Sequence, residues 1–249
     1  MDSPYSLPMT SITLPKYLMV GIEIEFCTPE ALSSACISEL TSLGWKIGTD
    51  GSLAPRELAR MNEISSRIFR DEFSAETVTR TCAALKREKA FVTHCCGIHV
   101  HFSFTVPLKI TSDRRGLFVL DLQEKLSKFK PWAARLEYCR PYKTARDFYG
   151  FGDSKYRVIR YCGEVSARYS HQLRGAIPLD TASPEYNERR KELSLARELH
   201  FEARVFNSTL KPRGIMVAVD AVVKAANFVY NAESCGRYSD GAAALIEFC

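Results

Sequence analysis

The chain has 249 residues, 46% of them hydrophobic and 25% charged, and a formal net charge of +5. This composition excludes a disordered or fibrous chain and leaves room for a sizeable core, while the mild positive charge suits a phosphate- or carboxylate-bearing ligand without demanding nucleic acid. Nine scattered cysteines, an odd number with no C-x-x-C pair, argue against a secreted disulfide framework and for a reduced cytoplasm.

The opening residues, MDSPYSLPM, lack the basic and apolar regions of a signal peptide. Residues 1–16, with Pro4, Pro8 and Pro15, read as an irregular lead-in. VGIEIEF (20–26) alternates, with Ile22, Ile24 and Phe26 on one face and Glu23 and Glu25 on the other, which predicts a strand. Thr28-Pro29-Glu30 reads as a helix start, with Thr28 as N-cap and Pro29 at the first helical position. Leu32, Cys36, Leu40 and Leu43 form the apolar stripe of that helix, and Gly44 stops it. WKIGTDGSL (45–53) predicts a short strand running into an Asp-Gly turn, and RMNEISS (60–66) another strand.

Ser74 is placed to cap a helix with Val78, Cys82 and Leu85 inward. VTHCCGIHVHFSF (92–104) is the longest predicted strand. Asp113 to Phe129 carries a wide helical stripe ended before Pro131, and a second helical stretch is expected after it. Residues 140–180 are rich in Arg and Tyr and contain the loop YGFGDS. The charged stretch 183–198 is a surface helix or a mobile loop, and LHFEARVF (199–206) is a strand. Pro212 opens a final long helix with Ile215, Val219, Val222, Val223, Ala226 and Val229 inward. Its run IMVAVDAVV is too short and too polar to cross a bilayer. Strands with interposed helices point to an α+β fold. No G-x-G-x-x-G or Walker sequence supports a dinucleotide or P-loop unit.

Three strands share one pattern. Glu23 and Glu25 point one way, as do His99 and His101 in GIHVHFSF, and Glu202 and Arg204 in FEARVF. Each opposite face is apolar. Side chains two apart on a strand stand roughly 6.6–7 Å apart on one face. If the three strands share a sheet, its polar face gathers carboxylates, imidazoles and a guanidinium. Like charges this close are costly unless a cation neutralises them. Carboxylates favour Mg²⁺ or Mn²⁺, and Arg204 among them suits a phosphate held bidentately. Taken singly, an E-x-E strand is commonly an exposed sheet face, an H-x-H a solvated pair and an E-x-R a surface ion pair. Structural zinc is disfavoured because adjacent Cys95 and Cys96 point to opposite faces of a strand and no second cysteine pair follows.

The ordered motifs G-I-E-I-E-F, D-G-S-L, N-E-I-S-S, C-G-I-H-V-H-F and F-E-A-R-V-F-N-S-T-L resemble the amidoligase family, among the glutamine synthetase-like carboxylate–amine ligases. The likeness runs from about residue 20 to about residue 215. It implies a single catalytic domain over 1–249 with a curved, mainly antiparallel half-barrel sheet and helices on its outer face. It implies an ATP-dependent ligase that forms an amide through an acyl phosphate, with Mg²⁺ or Mn²⁺. Small-molecule or peptide carboxylates and amines would be its substrates, with no membrane and an open oligomeric state. Position by position, Glu23, Glu25, Glu63, His99 and Glu202 resemble metal ligands. His101 is implied beside the nucleotide phosphates, Arg168 at the nucleotide, and Arg204 at the transferring phosphoryl. Asp50 would bind or deprotonate the incoming amine. Two other readings stay open: a guanidino kinase-like phosphotransferase on the same sheet, and a non-catalytic nucleic-acid-binding module using Arg157 to Arg174 with the interleaved Tyr149, Tyr156, Tyr161 and Tyr169.

Overall fold

The computed structural model describes residues 10–48, 60–105, 115–128, 143, 158–161, 200–235 and 237. In chain order these contain β1 (Ile12–Thr13), β2 (Leu18–Thr28), α1 (Ser34–Ser42), β3 (Trp45–Gly48), β4 (Arg60–Ser66) and β5 (Glu72–Phe73). There follow α2 (Ala75–Arg87), β6 (Gly97–Phe104), α3 (Arg115–Ser127), β7 (Ile159–Tyr161), β8 (His200–Asn207) and α4 (Pro212–Ser234). The Asp-Gly turn at Asp50, the expected helix after Pro131, most of 140–180 with Arg168, and the charged 183–198 stretch lie outside the described residues.

Six strands form one antiparallel sheet in the order β3-β4-β2-β6-β8-β7. The fold is therefore α+β, and the sheet is open rather than closed into a barrel. A second, two-stranded sheet pairs β1 with β5, which sequence periodicity alone did not predict because each strand has only two residues. The three polar-faced strands β2, β6 and β8 are contiguous at the centre of the large sheet.

The apolar face of that sheet is the floor of a single core. Ile22, Ile24 and Phe26 of β2, Ile98, Val100 and Phe102 of β6, and Phe201 and Ala203 of β8 join the inward stripes of the four helices in it. Phe102 stacks on Phe201 with ring centroids 5.4 Å apart, and Phe118 of α3 tilts against Phe201 at 5.2 Å. α4 is long and apolar enough to cross a membrane by length and composition alone, because the helix runs on past Asp220 and Lys224 to Ser234. Its residues Ile215, Val219, Val222, Ala226 and Val229 are spent on this core.

The first helix begins later than its sequence suggests. Ser33, not Thr28, is its N-cap, accepting a hydrogen bond from the Cys36 amide. Thr28 instead ends β2, where its hydroxyl donates to the Glu30 carbonyl at 2.6 Å and accepts from Asn62 Nδ2 at 2.9 Å. Cross-strand pairing of Thr28 with Arg60 holds the backbone extended, and this overrides the local capping signal. Gly44 does end the helix, at φ +87°, a left-handed conformation that glycine adopts without penalty. The strand expected over 92–104 begins only at Gly97, since residues 94–95 form a turn.

Candidate functional site

The pairing register assembles the polar face. Glu23 lies directly opposite His99 on one side and Ser65 on the other. Glu25 lies opposite Glu63, so β4 does supply a third acidic strand in regular geometry. His101 lies opposite Glu202. Like charges directly opposed across two strands are destabilising by themselves, so the Glu25–Glu63 juxtaposition favours a cation-binding role.

One irregularity shapes the far side. Between β6 and β8 the register shifts, with Ile98 opposite Phe206 but Val100 opposite Ala203. β8 thus carries an extra residue across from His99, a bulge of the kind that re-aims side chains. Glu202 and Arg204 stay on the polar side of it, and the Arg204 guanidinium hydrogen-bonds Glu202 Oε1. Both Val205 and Phe206 are buried, so the expected strict alternation of β8 breaks there.

The side chains converge. Glu23, Glu25, His99 and Glu202 are all buried, and Glu202 is wholly inaccessible. His99 Nδ1 sits 3.3 Å from Glu23 Oε2 and 3.4 Å from Glu202 Oε1, while its Nε2 is 3.5 Å from Glu25 Oε1. Among the described residues His99 Nε2 makes no hydrogen bond, a buried ring nitrogen facing the Glu25 carboxylate. His101 Nε2 is 3.3 Å from Glu23 Oε2. Each of Glu23, His101 and Glu202 offers a ligand atom within 4.8 Å of the other two, which is the metal-capable group among the described residues. Soft ligands do not converge in the same way: Cys96 turns toward Cys27, with sulfurs 3.9 Å apart, and Cys95 toward His94.

Charge balance explains how three acids survive burial together. Burial works against an ionised Glu23, but the His101 imidazole, aided by His99, outweighs it and holds Glu23 well below the usual carboxylate range. Burial would lower His101, yet Glu23 and Glu202 push it above its ordinary value against opposition from Arg204. Glu202 is lowered in turn: His101, His99 and Arg204 outweigh its burial and its repulsion from Glu23. The His101 imidazole and the Arg204 guanidinium thus offset the charge of the buried acids. Oxygen-rich ligands with an imidazole would fit Mg²⁺ or Mn²⁺.

The expected residues therefore fall into three groups. Glu23, Glu25, His99, His101, Glu202 and Arg204 share one face, with Glu63 joined to it at its β4 edge. His101, which the sequence resemblance put beside the phosphates, lies with Glu23 and Glu202 within 4.8 Å, and His99 Nδ1 approaches the same two acids at 3.3 and 3.4 Å. Asp50 and Arg168 lie outside the described residues.

Three supporting residues escaped sequence reasoning. His200 continues the polar face of β8 two residues before Glu202, and the same period-two argument that selected Glu202 and Arg204 would have found it. The Gly97 amide donates to Glu25 Oε2 at 2.5 Å. The Ser208 hydroxyl donates to the Glu25 carbonyl at 2.5 Å. The first contact comes from β6 and the second from the residue just after β8, and no local pattern announces them.

Among known families, the model of the one described as "Putative amidoligase enzyme" matches residues 16–224. No curated protein matches the chain, and no solved structure matches it.

Proposed function

The chain belongs to the amidoligase family, and from that premise we propose that it is an ATP-dependent carboxylate–amine ligase using Mg²⁺ or Mn²⁺. The carrying observation is the convergence of Glu23, His101 and Glu202 within 4.8 Å on a sheet face that also holds Glu25, His99 and Arg204. The family match supports ligase chemistry in general. The open antiparallel sheet with helices on its apolar side is compatible with a glutamine synthetase-like half-barrel.

In this reading a substrate carboxylate oxygen attacks the γ-phosphorus of ATP, the bond to the bridging oxygen breaks, and ADP leaves. The amine nitrogen then attacks the acyl carbon, the carbon–oxygen bond to phosphate breaks, and the amine gives up a proton. Phosphoryl transfer needs positioning and positive charge more than covalent help from the protein. Glu23, Glu202 and His101 would hold a divalent ion, with Glu25, Glu63 and His99 as further ligands. The bound ions would draw off charge from the phosphate oxygens. Arg204, oriented by its hydrogen bond to Glu202, would carry positive charge to the transferring phosphoryl. The Gly97 amide keeps the Glu25 carboxylate from rotating away. Asp50 is proposed to receive the amine proton and Arg168 to bind the nucleotide.

The test mixes protein, ATP and Mg²⁺ with pooled amino acids, polyamines and small carboxylates. ADP and free phosphate should appear together in at least one pool and vanish in Glu25→Gln. If no pool exceeds that control, the ligase reading fails. ADP without free phosphate would indicate phosphotransfer instead.

A further inference from the structure

The second nitrogen of His101 is held by His200. His101 Nδ1 and His200 Nε2 are 3.1 Å apart, with ring centroids 5.3 Å apart and tilted by 48°. His200 is the first residue of β8 and is 8% exposed. Its register partner is Ser103, one row beyond the His101–Glu202 pair, so the contact runs diagonally across the sheet. We infer that His200 is a positioning residue that fixes the ring orientation and tautomer of His101. This rests on the metal–nucleotide reading of the site.

The geometry leaves His101 one arrangement that serves a cation. Its Nε2 faces Glu23 at 3.3 Å, so Nε2 is the atom that must offer a lone pair. The ring proton then has to sit on Nδ1, and His200 Nε2 must accept it. Were the polarity reversed, with His200 donating, Nε2 of a neutral His101 would carry the proton and could only donate to Glu23. Imidazoles that bind metals are commonly oriented by a partner on the other ring nitrogen. That partner is commonly a carboxylate, a backbone carbonyl or a water. Here a carboxylate would add negative charge beside Glu23 and Glu202, whereas an imidazole nitrogen supplies an acceptor without a negative charge. Burial and the β8 backbone keep His200 from swinging away.

The test combines two measurements on the full chain. Nitrogen-15 NMR of the metal-free protein should place a proton on His101 Nδ1, and an unprotonated Nδ1 overturns the inference. Electron paramagnetic resonance then follows Mn²⁺ uptake in wild type, His200→Phe and His200→Gln, with circular dichroism melts to verify folding. His200→Phe keeps a ring and loses the acceptor, so Mn²⁺ affinity should fall about 10- to 100-fold. His200→Gln offers a side-chain oxygen as acceptor, so it should recover most of that loss. Equal Mn²⁺ binding by wild type and the Phe variant, or equal losses in both folded variants, overturns the inference. If wild type takes up no Mn²⁺, the metal reading fails, and the position of the Nδ1 proton still decides the hydrogen-bond polarity.

Discussion

Glu23→Gln isolates the charge balance of the site without changing its shape. At 3.3 Å and an effective dielectric of about 20, the Glu23–His101 attraction is about 5 kcal/mol before desolvation. Burial of both groups offsets part of that, and removing one partner of a buried pair costs about 3–5 kcal/mol. The loss depends on pH, because His101 can shed its proton. Its folded value is raised above the ordinary 6.5, so its contribution is complete below 6.5 and is lost as pH rises through the folded value. Glu23 is held below the ordinary 4.5, so its contribution is present above 4.5 and is lost as pH falls through the folded value. The pair therefore stabilises most between those limits. In urea melts with excess EDTA, Glu23→Gln should lose about 3 kcal/mol near about pH 5.5. As pH rises through the raised folded value of His101, the difference should shrink to about 1 kcal/mol, the worth of one hydrogen bond. A variant as stable as wild type near pH 5.5, or more stable, would refute the reasoning. It would mean that acid–acid repulsion, not imidazolium pairing, dominates the metal-free site.

Three further outcomes follow from individual contacts. Ser208→Ala removes the hydroxyl that holds the Glu25 carbonyl and should cost about 1–3 kcal/mol in denaturant melts, while an unchanged melt would show the bond adds nothing. Gly44→Ala forces a side chain into φ +87° and within 3.2 Å of Arg67 Cδ, so it should lower stability by about 1–2 kcal/mol, read as a lower thermal midpoint. Burial pushes the Cys82 thiol up to about 12 and, with help from Cys96, Cys27 up to about 11, whereas Cys235 is exposed. A thiol reagent near neutral pH should therefore label Cys235 quickly in the native protein and Cys82 only on unfolding, as peptide mapping would show.

The sequence by itself determined the α+β class, the identity of the three polar-faced strands and the acids, imidazoles and guanidinium on them. Period-two alternation is enforced residue by residue by the pleat, so it can be read without knowing any partner strand. The helical stripes of α2 and α4 were legible for the same reason at period 3.6. Pairing with β2 and β3 on both sides fixes the strand that carries Glu63.

Only the tertiary structure decided what depended on neighbours distant in the chain. Strand order put β2, β6 and β8 side by side, and register set Glu25 against Glu63 and His101 against Glu202. The bulge opposite His99, the replacement of Thr28 by Ser33 as cap, and the grip of Gly97 and Ser208 on Glu25 all arise from cross-strand hydrogen bonds. Such bonds leave no periodic trace in either segment they join. For that reason the run GIHVHFSF could announce two histidines on one face, while the contacts that distinguish them came from other strands: Glu23, Glu25 and Glu202 around His99, and Glu23 with His200 around His101.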